Sequence, residues 1–134
     1  MPAPVKFDPG FRLSRLDGLI LLAGAALSAG GGAFMDAALG AAIAFVVGHF
    51  FLFCNIVRMR RARELVWTGA FIALAAGSEL FGAPGWLATF GIMLLLTLTL
   101  VAFEMRSPAY HGVFWRRINP ALETWWRAHQ KPLS

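Results

Sequence analysis

The sequence predicts an all-α, polytopic membrane protein: a bundle of four transmembrane helices with both termini cytoplasmic and a C-terminal amphipathic helix lying in the interface. Three observations carry that expectation. Of the 134 residues 58% are hydrophobic and 14% charged, which is more apolar than a soluble domain of this size hides in one core. The apolar runs reach roughly 18 to 21 residues, the length that spans about 30 Å of hydrocarbon. All twelve Lys and Arg lie in the N-terminal segment (Lys6, Arg12, Arg15), in the stretch Arg58, Arg60, Arg61, Arg63, or in the C-terminal tail (Arg106, Arg116, Arg117, Arg127, Lys131). Four spans place those three segments on one side, and the positive-inside rule makes that side the cytoplasm. Three spans would divide them across the membrane. The expected location is the bacterial cytoplasmic (inner) membrane, N-in/C-in.

The expected organisation is a cytoplasmic N-terminal segment over residues 1–17, a membrane domain over 18–104 with spans near 18–33, 37–57, 65–81 and 85–104, and a tail over 105–134. The N-terminal segment is punctuated by Pro and Gly, with Phe7, Phe11 and Leu13 as interfacial anchors. Ser14-x-x-Asp17 has capping-box spacing, so the first span begins nearby. Its apolar run has no convincing processing site and reads as a retained helix. Gly30-Gly31-Gly32 either closes it in a left-handed turn or stays helical and leaves it unusually thin.

Asp36 is the expected N-cap of the second span. At 100° per residue Gly40, Ala44, Gly48, Phe51, Asn55 and Arg58 share one face. Small residues four apart let backbones approach, and Gly24, Ser28 with Ala25, Ala29 offer a matching surface, so the first two spans should form a tight antiparallel hairpin with Asn55 hydrogen-bonded inside the bundle. His49 lies roughly opposite that stripe with Phe45, Leu52, Phe53 and Ile56. The third span is short, and Gly82-Ala83-Pro84-Gly85 is a compact turn in which Gly82 ends one helix and Pro84 enters the first turn of the next. In the fourth span Thr89, Met93, Thr97 and Glu104 share a face that should point inward. Trp67 and Trp86 sit at opposite helix ends, where aromatic belts belong. In the tail Phe114, Ile118, Leu122 and Trp125 recur at helical spacing. Asn119-Pro120 suits a helix start, and Trp115, Trp125 and Trp126 would lie at headgroup level.

Several side chains carry possible chemistry. His49, deep in a span, could hydrogen-bond another helix or ligate a haem or chlorophyll-type magnesium, although His111 and His129 lie in the tail and supply no second intramembrane ligand. Cys54 among Phe, Leu and Ile reads as inert packing, and one cysteine excludes an intrachain disulfide. Glu79 and Glu104, near opposite faces, are the candidates for an ion path; Glu104 could instead pair with Arg106 or with the arginines of the basic stretch, and Glu79 could reach water from the short outer loop. Arg58, Arg60, Arg61 and Arg63 suit anionic lipid headgroups or an acidic partner, and not nucleic acid, since no reading helix follows them. The sequence contains no phosphate loop, nucleophile elbow or metal-ligand spacing, so no enzyme is expected. The leading expectation is a non-enzymatic accessory or assembly subunit of a larger membrane complex. The alternatives are a homo-oligomeric small transporter or proton-coupled channel and, more weakly, a cofactor carrier using His49.

Overall fold

The structure is a computed structural model, and it describes residues 6–129. Residues 1–5 and 130–134, the latter including Lys131, lie outside the described residues. The fold is all-α, with no strand among the described residues. Four helices are long and apolar enough to cross a membrane: α1 (Arg15–Phe34), α2 (Ala37–Phe51, prolonged by a π-helical turn over Leu52–Ile56), α3 (Arg61–Phe81) and α4 (Trp86–Met105). Two short helices follow, α5 (Trp115–Ile118) and α6 (Leu122–His129). α1 packs on α2 and α3 on α4.

The capping box at the start of α1 is formed: Ser14 Oγ accepts from the Asp17 N–H at 3.1 Å and the Asp17 carboxylate accepts from the Ser14 N–H at 2.7 Å. The helix continues through Gly30-Gly31-Gly32. The chain turns only after Phe34, where the Met35 and Asp36 N–H groups both donate to the Gly31 carbonyl at 3.0 Å. The triple glycine therefore serves helix approach. A Cβ on Gly40 would lie 2.7 Å from Gly32 Cα and 2.7 Å from the Ser28 carbonyl oxygen, and Ser28 Oγ donates to the Gly40 carbonyl at 2.7 Å. Asp36 occupies the N-cap position of α2 with extended backbone, but its carboxylate makes no capping bond.

The hairpin seam departs from the predicted stripe. Its contacts run through Gly40, Ile43 and Val47: Val47 fills the space over Gly24, and Ile43 lies against Gly31. Ala44 and Gly48 are exposed beside the seam, and a Cβ on Gly48 would meet nothing within 4 Å. A branched side chain on the neighbouring helix satisfied one glycine, so the second small residue was not needed for contact. Replacing Gly40 by valine is expected to cost about 1–3 kcal/mol, because the added atoms meet backbone that cannot rotate away. Gly48→Val should stay within about 0.5 kcal/mol. Thermal unfolding of the two variants in detergent compares them directly.

Gly82, at φ 66°, ends α3 in the left-handed conformation. Pro84 lies in the loop, two residues ahead of α4, rather than in its first turn. α3 begins at Arg61, four residues before the expected start, because its first turn projects beyond the apolar stretch with Arg61, Arg63 and Glu64 on it. On α4 Thr89, Met93, Thr97 and Glu104 are all buried, which is the face the spacing assigned to the interior. With Phe53, Val57, Met59, Trp67 and Tyr110, Met93 forms the apolar core.

Candidate functional site

Two constellations stand out, an aromatic stack between α2 and α3 and a polar junction at the end of the bundle that carries the basic residues. In the stack the His49 ring lies 4.2 Å from Phe45 and 4.8 Å, nearly parallel, from Trp67. Trp67 in turn stacks on Phe71 at 5.5 Å with an interplanar angle of 1°, and Phe45 reaches Phe90 of α4 at 4.9 Å. His49 Nδ1–H donates to the Phe45 carbonyl one turn earlier, at 2.7 Å. A carbonyl can only accept, so the proton is on Nδ1 and Nε2 keeps the lone pair that a donor or a metal would use. The imidazole thus faces other helices of its own chain.

Trp67 does not sit in an interfacial belt. It is 3% exposed, and its indole N–H donates to Thr97 Oγ1 at 2.8 Å while the Thr97 hydroxyl donates to the Met93 carbonyl at 2.7 Å. Because α3 starts at Arg61, Trp67 lies about 9 Å along the helix and reaches the core. Toward the opposite end Ser78 and Thr89 share a hydrogen bond of 2.9 Å, and the Trp86 indole donates to Glu79 at 2.7 Å.

At the basic end the π-helical turn of α2 widens the backbone and frees carbonyls. The Asn55 carbonyl accepts from the Arg12 N–H at 3.1 Å and the Ile56 carbonyl from the Val113 N–H at 2.8 Å. Buried Asn55 returns a bond to the N-terminal segment, its Nδ2 donating to the Arg12 carbonyl at 2.7 Å. Arg58, in the left-handed conformation at φ 53°, donates to the Asp8 carbonyl. Burial, with Arg12 close by, pulls its guanidinium pKa below the usual value. N-terminal segment, α2 and tail are therefore joined at one node.

Beside that node Glu104 is 1% exposed and holds two members of the arginine stretch: Arg63 donates to Oε2, and Arg60 Nε stands 3.8 Å from Oε1. Arg60 Nη2 also donates to Ser107 Oγ at 2.6 Å. Arg61 reaches Glu64 at 3.5 Å, and the Cys54 thiol donates to the other Glu64 oxygen at 3.1 Å. Tyr110 is fully buried with its hydroxyl donating to the Val113 carbonyl at 2.8 Å, and burial pushes its phenol pKa up, with Glu104 adding to the shift. A Cβ on Gly112 would come within 2.4 Å of the Val57 carbonyl oxygen, so only glycine fits there.

Comparison with protein-family models, curated proteins and solved structures finds no match.

Glu79 and Glu104 stand at opposite ends of the α3–α4 pair, each with a partner, and the stretch between them is occupied by the Ser78–Thr89 pair, Met93 and the Trp67–Thr97 pair. In the tail, Asn119 closes α5 rather than capping α6, which begins at Leu122. Trp115 and Trp126 are half-buried around Phe7, at 5.8 and 5.5 Å, while Trp125 stacks on His129 at 4.2 Å. Sequence reasoning passes over Tyr110 and Gly112, takes Arg12 only as a basic residue of the N-terminal segment, and places Trp67 at the interface instead of in the core. The lone tyrosine two residues before a glycine was the available signal for the first two.

Proposed function

We propose that this chain is a non-enzymatic accessory or assembly subunit of a larger membrane complex, seated in the bacterial cytoplasmic membrane with both termini inside. The observation that supports this over transport is the closed interior: the polar side chains along α3 and α4 bond to one another, and packed Met93 and Trp67 fill the line between Glu79 and Glu104. Lateral association has a place to occur. A groove open to the membrane runs along α1 and α2, lined by Gly24, Ala25, Ser28, Ala44, Val47 and Gly48. Small side chains on an exposed flank let a partner's transmembrane helix approach closely, whereas lipid gains nothing from them. The joined segments at the basic end would present Arg61, Arg116 and Arg117 to the inner surface, consistent with the positive-inside rule.

The test is native mass spectrometry of the tagged protein taken from its own membranes in mild detergent. The expected result is co-purification at fixed stoichiometry with larger membrane subunits, lost when Ala44 and Gly48 are both replaced by leucine. That pair fills the groove without entering the seam. A self-oligomer with nothing else bound, unaffected by the double replacement, would overturn the proposal and move the reading to a homo-oligomeric transporter.

A further inference from the structure

At the end of α4 a cavity of about 560 Å³ opens to the surface between the last helical turn and α5. We propose that it binds one anionic phospholipid. One wall is apolar, formed by exposed Ala102 and Ile118 with half-buried Met105, and the rim is polar, formed by Arg106, Ser107 and Asn119. Met105 is the last residue of a helix long enough to span the bilayer, so the apolar wall lies where acyl chains end and the rim where headgroups begin.

The rim has the charge that such a ligand needs. The exposed Arg106 guanidinium has no hydrogen bond or ion pair to any other described residue, and the carboxylate nearest in sequence, Glu104, is already held by Arg63 and Arg60. Among the described residues the cation is therefore uncompensated at the mouth of the cavity, where a phosphodiester can take two N–H bonds from the guanidinium fork. Asn119 spends both amide hydrogens on the Pro108 and Tyr110 carbonyls, at 2.7 and 3.1 Å. Its Oδ1 remains to accept from a headgroup hydroxyl, which favours a glycerol headgroup. The first acyl carbons would then lie on Ala102 and Met105. Free phosphate would use the arginine and leave the apolar wall without an occupant. This site stands whether or not a partner subunit exists.

Native mass spectrometry of the delipidated full chain, titrated with phosphatidylglycerol or with phosphatidylcholine, tests the assignment. Phosphatidylglycerol is expected to bind as one copy, about fivefold or more tighter than phosphatidylcholine, the factor that one basic residue at a headgroup supplies. Arg106→Gln should remove that preference. Arg117→Gln, an exposed change outside the cavity, should keep it, and Ala102→Trp should reduce binding by filling the wall while leaving the charge in place. Unchanged selectivity in Arg106→Gln would overturn the proposal in favour of diffuse surface charge. Full binding by Ala102→Trp, or displacement of the lipid by millimolar inorganic phosphate, would overturn it in favour of a free-phosphate site.

Discussion

Replacing Glu104 by leucine is expected to destabilise the protein by about 2–4 kcal/mol, the largest loss available from one charged residue here. The carboxylate is 1% exposed and serves two arginines. Removing it leaves Arg63, only 28% exposed, without its counter-charge against the apolar core. The loss falls below that of a fully buried pair because Arg60, at 54% exposed, can turn to water, and its share of the interaction is screened. The sign of the effect is diagnostic when Arg63 is removed as well. Glu104→Leu with Arg63→Leu together should recover most of the loss, since two apolar side chains carry no desolvation penalty, whereas Glu104→Leu alone should not. Thermal unfolding in detergent for the four members of the cycle gives the coupling, expected at about 1.5–3 kcal/mol. A coupling near zero would mean that Arg63 does not depend on Glu104 for its counter-charge and is available to a partner.

The four long apolar helices were legible because they depend on properties that survive without coordinates: run length, and a capping box whose two partners are three residues apart. The inward face of α4 was legible for the same reason, since Thr89, Met93 and Thr97 recur at helical spacing in an otherwise uniform apolar helix. The seam between α1 and α2 was not. Gly40, Ala44 and Gly48 define a stripe of small residues, but which flank of that stripe meets the neighbour is decided by Val47 fitting over Gly24, a property of two helices at once. The node at the basic end was hidden for another reason. Its bonds run to the Asn55 and Ile56 carbonyls, which the π-helical turn exposes, and backbone acceptors leave no mark on the sequence. Only the Asn55 side chain announced that something polar was buried there.

Trp67→Ala is expected to cost about 2–4 kcal/mol and to act at a different place, the joint between the two helical hairpins. In lipid the loss does not come from transferring the ring to water, because exposed tails are as apolar as the core; it comes from the cavity and the contacts that go with the ring. Those contacts are spread over three helices: His49, Phe45 and Phe53 on the α2 side, Phe71 on α3, and the hydrogen bond to Thr97 on α4. Trp67→Phe separates the components. It keeps most of the stack and removes the indole donor, so the cost should fall to about 0.6–1.5 kcal/mol, the range of a single hydrogen bond in such an interior. Because the α1–α2 hairpin is held by its own glycine seam and does not use Trp67, Trp67→Ala should lose tertiary aromatic signal in near-ultraviolet circular dichroism before helical signal is lost. The wild-type protein should lose the two together. If both signals of Trp67→Ala also fell together, with the midpoint of the wild type, the stack would be lining rather than joint, and His49 with its free Nε2 would be the member with a role of its own.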